Sequence, residues 1–101
     1  MSQTTWTDEL ILGILQEDLG RRNPTEGTLD YLRILIESAK EEISAEGVQL
    51  PDEITDPNDV RLITSYAAWL YRKRAAAGEE SHMPRSLRWT LNQRAFRSRE
   101  E

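Results

Sequence analysis

The residues most capable of chemistry in this 101-residue sequence are the arginines and aromatic residues near its C-terminal end. They lie in the stretch HMPRSLRWTLNQRAFRSR, in which five arginines alternate with large apolar side chains. Guanidinium groups pair with phosphates or carboxylates, and aromatic rings stack on bases or fill protein pockets. The stretch is therefore predicted to bind a macromolecule, and its candidate contact residues are Arg85, Arg88, Trp89, Leu91, Arg94, Phe96 and Arg97.

The charge distribution favours a protein partner over nucleic acid. Residues 1–71 contain 14 acidic and 5 basic residues, whereas residues 72–101 contain 8 basic and 4 acidic ones. An acidic body with a basic C-terminal part suggests an oriented contact, and an acidic domain is opposite to the usual footprint of a DNA-binding protein. The arginines also lie at mixed spacings around apolar positions rather than along one stripe.

Trp89 has two readings. Leu87 and Leu91 each lie two residues from it, so the three side chains share a face only if the segment is extended. In a helix, Trp89 instead projects alone. It then either packs back on the central helix of its own chain or belongs to an interface.

The sequence does not predict an enzyme. His82 is the only histidine and lies in the polar break EESHMP, where no neighbouring residue type orients it as a catalytic base. Cysteine is absent, which removes thiolate metal sites and a cysteine nucleophile. The glycines form no phosphate-binding loop. The acidic run DEITDPND lacks the glycine and final glutamate of a calcium loop. No catalytic residue, cofactor or metal is expected.

The elements that position these residues are predicted to be helices of one small domain. Apolar stripes and start signals predict main helices near residues 7–19, 29–46 and 57–77, with a short fourth helix after Pro84. Residues 1–82 would form a helical body, and residues 83–101 a basic, aromatic segment of the same domain. The expected fold class is all-α, a small bundle of three main helices plus a short C-terminal helix or arm.

The third helix is expected to be central, since it is apolar on two faces. Val60, Ile63, Ala67, Leu70 and Tyr71 make one face, and Leu62, Tyr66 and Trp69 the other. In the first helix the expected stripe consists of Leu10, Ile11, Ile14, Leu15 and Leu19. In the second helix the stripe consists of Leu29, Leu32, Leu35, Ile36, Ala39 and Ile43, with Glu37, Glu41, Glu42 and Glu46 facing outward.

The order of these features resembles the head–tail connector (neck adaptor) proteins of tailed phages. The resemblance lies in the opening acidic helix TDELILGILQEDLG, the helix SYAAWLYRKRAAAG, and the MP that starts the arginine- and aromatic-bearing segment. It covers nearly the whole chain in order and length. It implies an all-helical subunit that forms a homo-oligomeric ring beneath the portal, extends the DNA channel and provides a platform for the next neck or tail-completion protein.

The resemblance also implies partners and a location. The partners would be further copies of the chain, the portal protein and the next neck or tail component, with genomic DNA passing non-specifically and no membrane involved. The protein would be made in the host cytoplasm and end in the neck of the virion. The segment from about Met83 to Arg99 would reach a neighbouring subunit or the portal, and it would be mobile or loosely packed in an isolated monomer. An arm folded on its own core would instead be as ordered as the other helices.

Two other functions remain open at this point. The chain could be a small helical DNA-binding regulator or packaging factor, with the basic segment as the second helix of a helix-turn-helix and Arg85 and Arg88 facing bases. The break AGEESHM is longer and more acidic than the usual turn of that motif. A toxin-neutralising or other hetero-oligomeric partner is the third reading, for which the sequence offers no positive sign.

Overall fold

The computed structural model describes residues 5–20, 25–75 and 83–100. These residues form four α-helices and no β-strand, which confirms the predicted all-α fold. The helices are α1 (Asp8–Leu19), α2 (Glu26–Ala45), α3 (Pro57–Ala75) and α4 (Arg85–Glu100). α4 has 16 residues, fewer than either α2 or α3.

Polar side chains fix the helix starts. Thr7 Oγ1 accepts a hydrogen bond from the Leu10 N–H, and Thr25 Oγ1 accepts one from the Thr28 N–H. Because Thr25 is the N-cap, α2 begins at Glu26 rather than near residue 29. Asp56 caps α3 through its carboxylate, which accepts the Asn58 N–H at 2.9 Å.

The end of α1 and the turn after α2 use backbone conformations that favour glycine. Gly20 caps α1 with φ of 67°, and Gly47 follows α2 with φ of 96°. The turn at Gly47 leads the chain to Val48, which is almost fully buried. It thereby starts the connection that runs along one end of the core to α3.

One apolar core lies between the helices. α1 contributes Ile11, Leu12 and Leu15, and α2 contributes Leu32, Leu35, Ile36, Ala39 and Ile43. The predicted α2 stripe is therefore buried as expected, apart from Leu29 at its edge. The α1 stripe is rotated from the prediction, since Leu12 is buried and Leu10 is 47% exposed. With Leu10, Ile11 and Leu12 in a row and Ile14 and Leu15 after Gly13, helical spacing alone allowed either rotation.

α3 occupies the centre and packs against α1, α2 and α4. Ile63 and Ala67 are fully buried, Leu62 and Tyr66 are buried on the second face, and Trp69 and Leu70 are half-buried. Both predicted faces of this helix are thus covered by neighbours. A helix in this position orients the other three, so changes in its core residues should affect the whole fold.

Tyr66 should show the burial of α3 in a pH titration. Its side chain meets the Trp69 ring edge-on at a centroid distance of 5.4 Å and is 3% exposed. Burial, reinforced by the charges of Glu42 and Glu46, raises the pKa of Tyr66 to about 12. Above the ordinary pKa of 10.0, the unfolded chain loses this proton while the folded chain retains it, so stability should fall as the pH rises from there towards about 12.

The measurement is a spectrophotometric titration of tyrosinate in the wild type and in Tyr66→Phe. The step near pH 12 should be present in the wild type and absent in the variant. Urea unfolding at rising alkaline pH should show a smaller loss of stability in Tyr66→Phe. Identical titration curves for the two proteins would contradict the assignment.

Candidate protein interface on the C-terminal helix

The inner face of α4 belongs to the core of its own chain. Leu87, Leu91, Ala95 and Ser98 recur at spacings of four, four and three residues, and all four are buried. They lie against α3 and the turn after α2, where a Cβ built on Gly47 would come within 3.9 Å of the Ala95 Cβ. The expected loosely packed arm is therefore replaced by a helix that is integrated into the fold.

A polar network fastens the second half of α4 to the body. Arg94 Nε donates to Asp59 Oδ1 at 2.9 Å, and these side chains are only 14% and 4% exposed. The other guanidinium nitrogens of Arg94 donate to Ser98 Oγ at 3.0 Å and to the Gln49 carbonyl at 3.1 Å. Ser98 Oγ in turn accepts the Gln49 N–H at 3.0 Å. One arginine thus joins α4, the start of α3 and the connection before it.

A second ion pair lies at the edge of α4 and is more exposed. Arg88 Nη1 donates to Glu46 Oε2 at 2.9 Å, with the two side chains 45% and 39% exposed. Water screens such a pair, so its net contribution to stability is expected to be below about 1 kcal/mol. Its main effect is to hold the Arg88 side chain against the end of α2.

The outer face of α4 carries two large aromatic side chains in water. Trp89 is 65% exposed and Phe96 is 56% exposed, and their spacing of seven residues places them on one side of the helix two turns apart. Arg85 lies one turn before Trp89, and Arg97 and Arg99 flank Phe96, all three exposed. We call the face formed by Arg85, Trp89, Asn92, Phe96, Arg97 and Arg99 the outer face of α4.

The structure separates the predicted contact residues into two groups. Arg85, Trp89, Phe96 and Arg97 are brought together on the outer face, and Arg88 lies at its edge in the pair with Glu46. Leu91 and Arg94 are corrected: Leu91 is 1% exposed in the core, and Arg94 is bound to Asp59. Neither side chain can serve a partner in this conformation. Trp89 lies on a helix and projects outward, so the extended arrangement with Leu87 and Leu91 does not occur.

The basic end of α3 contacts its own chain. Arg72 lies 3.9 Å from an Asp18 carboxylate oxygen. The Lys73 ammonium is 5.0 Å from the centroid of the Trp69 ring, and the Arg74 guanidinium is 5.6 Å from that of Tyr31. These are cation–π distances. The charges at this end of α3 therefore help to pack the ends of α1, α2 and α3 together.

Sequence reasoning placed Glu37 and Glu41 on the outward side of α2, but it missed the exposed Ile34 and Asp30 beside them. Asp30, Ile34, Glu37 and Glu41 recur at spacings of four, three and four residues, and all four are exposed. Ile34 is 61% exposed in the middle of three carboxylates. The signal was present as a single isoleucine on the glutamate-bearing face opposite the apolar stripe. We call these four residues the acidic stripe of α2.

Neighbouring acids crowd the acidic stripe. A hydrogen bond with Asp8, followed by desolvation and then by the charges of Asp8 and Glu41, raises the pKa of Glu37, and only Lys40 opposes this. Lys40 Nζ itself donates to Asp8 Oδ1. Asp30 accepts from Arg33 at 2.8 Å, and Arg33 also contacts Glu9 at 3.1 Å. An added cation at Glu37 and Glu41 would relieve repulsion between carboxylates.

A groove of about 470 Å³ separates α4 from the end of α1, above α3. Its lining includes Asp18, Arg61, Ser65 and Arg72. Near it, the Nε1 of Trp69 is buried without a hydrogen-bond partner. Nothing in the described residues indicates which ligand would fill this groove.

The described residues contain no feature that indicates metal binding or a membrane-spanning helix. Within residues 5–20, 25–75 and 83–100, no group of three or more His, Cys, Asp or Glu side chains is arranged to hold a metal ion. His82 lies outside the described residues. In the same ranges, no helix combines the length and apolar character needed to cross a bilayer.

No protein-family model matches the chain, and neither a curated protein nor a solved structure shows a significant match to it. The function proposed below therefore rests on the residues, the contacts of the described helices and the sequence resemblance.

Proposed function

We propose that this chain is a head–tail connector subunit of a tailed phage, which forms a ring beneath the portal, extends the DNA channel and provides a platform for the next neck or tail-completion protein. Its action is mechanical and electrostatic, and it has no catalytic step. After assembly it belongs to the neck of the virion. The observation that carries the proposal is the outer face of α4, held on a rigid acidic body.

The outer face of α4 has the composition of a protein-binding surface. Tryptophan, other aromatic residues and arginine are enriched at interfaces and dominate their binding energy. Two aromatic side chains, each more than half exposed, bury only part of their apolar area on folding and would gain further from burial against a partner. The inner contacts of Leu87, Leu91 and Arg94 fix the helix before binding, which lowers the entropy cost of association.

The acidic body suits a channel wall. Residues 1–71 contain 14 acidic and 5 basic residues, so the body repels the phosphate backbone. A basic wall would bind phosphates and slow the passage of DNA. This charge supports a conduit for DNA rather than a DNA-binding regulator.

The pairing of the arginines also weighs against the DNA-binding alternative. Arg88 and Arg94 are bound to Glu46 and Asp59, and Arg72 lies beside Asp18. A helix-turn-helix reading would need Arg88 free to face bases. In the described residues Arg88 pairs with Glu46 at the end of α2, an exposed pair that base contacts would have to replace.

Replacing both aromatic anchors, Trp89→Ala with Phe96→Ala, is expected to weaken binding to the portal protein encoded in the same genome by at least about 30-fold, since the loss of one hot-spot residue alone costs about 2 kcal/mol. Both side chains point into solvent, so the free energy of unfolding should change little. Binding is measured by light scattering or biolayer interferometry, with electron microscopy of the complex to detect rings.

The matched control is Leu10→Ala, because Leu10 is a large apolar residue on α1 that is 47% exposed. It should leave portal binding unchanged. Absence of portal binding by the wild-type protein, together with duplex binding that weakens steeply with salt, would replace the connector proposal with the DNA-binding one. Deletion of residues 83–101 is a poorer test than the double variant, because it would also remove Leu87 and Leu91 from the core.

A further inference from the structure

The outer face of α4 and the acidic stripe of α2 are complementary surfaces. One presents Arg85, Arg97 and Arg99 around two aromatic rings. The other presents three carboxylates around Ile34. Opposite charges around apolar centres set the orientation of an association and exclude wrong partners.

The two surfaces also match in length. At about 1.5 Å per residue, Asp30 and Glu41 lie about 16 Å apart along α2, and Arg85 and Arg97 lie about 18 Å apart along α4. Helices laid side by side would therefore bring both ends of the acidic stripe close to arginines. Trp89 and Phe96 would then lie over Ile34 and the aliphatic parts of the glutamates.

One copy cannot form this contact with itself. α2 and α4 both pack against α3, and each turns its buried face towards the core. The acidic stripe lies opposite the buried residues Leu32, Ile36 and Ile43, and the outer face of α4 lies opposite Leu87 and Leu91. Both surfaces therefore point away from the core and from each other. Within the described residues the acidic stripe has polar neighbours of its own chain, since Arg33 pairs with Asp30 and Asp8 is hydrogen-bonded to Glu37, and Ile34 between them stays exposed.

We propose that the outer face of α4 binds the acidic stripe of α2 on a second copy of this chain. The contact uses a different surface on each partner, so it is heterologous and leaves one free surface of each kind at the two ends of an open assembly, which a closed ring joins. The inference rests on the proposed function in taking the assembly to be a closed ring of identical copies. A single helix-to-helix contact is small, so each contact is weak alone and ring closure or the portal adds to it. Loss of Trp89 and Phe96 then weakens portal binding indirectly, because subunits that no longer contact one another cannot bind the portal together.

Engineered disulfides can test this pairing, because the natural chain has no cysteine. One variant carries Ile34→Cys on the acidic stripe, and the other carries Asn92→Cys between Trp89 and Phe96. Mixed under mild oxidation, the two variants should form a cross-linked dimer about tenfold faster than either variant alone, because association raises the effective concentration of the two thiols. The control is Glu53→Cys mixed with Asn92→Cys, since Glu53 is exposed in the connection before α3.

Charge reversal supplies the second arm of the experiment. Glu41→Arg in the Ile34→Cys chain should slow cross-linking to the control rate, and so should Arg97→Glu in the Asn92→Cys chain. Combining the two reversals should restore a fast rate, because the positive charge then lies on α2 and the negative charge on α4, and the two again attract each other. A rate equal to the control in the unreversed mixture, or fastest linking of Asn92→Cys to itself, would overturn the pairing.

The pairing and the connector proposal can fail separately. If the protein cross-links specifically but does not bind the portal, the proposed contact between α4 and α2 is supported and the connector function is contradicted. If rings form on the portal equally well with Glu41→Arg or Arg97→Glu, the connector function is supported and the proposed contact between α4 and α2 is contradicted.

Discussion

Arg94→Ala is expected to lower the free energy of unfolding by about 3 kcal/mol, the low end of the range for breaking a buried ion pair. The substitution leaves the Asp59 carboxylate, 4% exposed, without the guanidinium that pairs with it. It also removes the donors to Ser98 and to the Gln49 carbonyl. The low end applies because the Arg94 side chain is 14% exposed, so water can enter the vacated space.

Urea unfolding followed by circular dichroism measures this effect, and Arg88→Ala is the matched control. Arg88 is on the same helix and also pairs with a carboxylate, but its pair with Glu46 is exposed, so the loss should stay below about 1 kcal/mol. Adding Asp59→Asn to Arg94→Ala should recover part of the lost stability, because a buried amide costs less than a buried charge. Equal losses for the two alanine variants would show that burial does not distinguish the two pairs.

Ile63→Ala is expected to destabilise the fold by about 2–5 kcal/mol, since it removes apolar contacts and leaves a cavity where the helices meet. Ile63 is 0% exposed and lies on the helix that packs against all three others. Leu70→Ala should cost less, because Leu70 is only half-buried. Thermal or urea unfolding gives the comparison.

Ile34→Ala is the matched control for Ile63→Ala, since the same atoms are removed from a side chain that is 61% exposed on α2. Its free energy of unfolding should change by less than about 0.5 kcal/mol, as is usual for surface substitutions. A midpoint for Ile63→Ala equal to that of Ile34→Ala would mean that α3 is not the centre of the core. Because Ile34 belongs to the acidic stripe, the same variant should weaken self-association while keeping its stability.

The positions of the helices could be predicted from the sequence because their signals are local. Asp56, Pro57 and Asp59 mark the start of α3, and the structure begins the helix at Pro57. Thr7, a residue type that favours the N-cap position, lies directly before α1 and is the cap observed. The start of α2 differs from the predicted one because Thr25 and Thr28 are both residues that can cap a helix. Only the folded chain shows that Thr25 is the cap, since its hydroxyl accepts the N–H of Thr28.

The candidate site was only partly predictable because α4 is weakly amphipathic. Arginines recur on every side of α4, so residue type and spacing could not show which of them pair within the chain and which are exposed. Trp89 and Phe96 were recognised as interface candidates, and both are exposed. Leu91 and Arg94 were placed with them and lie instead on the inner face.

By itself, the sequence determined the all-α fold, the buried stripe of α2, the central place of α3 and the basic, aromatic character of the last helix, since caps and helical spacing act within a few residues. The tertiary structure alone decided which arginine of α4 is structural. Asp59 and Gln49 precede Arg94 by 35 and 45 residues, and packing of α3 against α4 brings them together. That same packing turns Trp89 and Phe96 to solvent, because burying Leu87 and Leu91 leaves the opposite side of the helix outside.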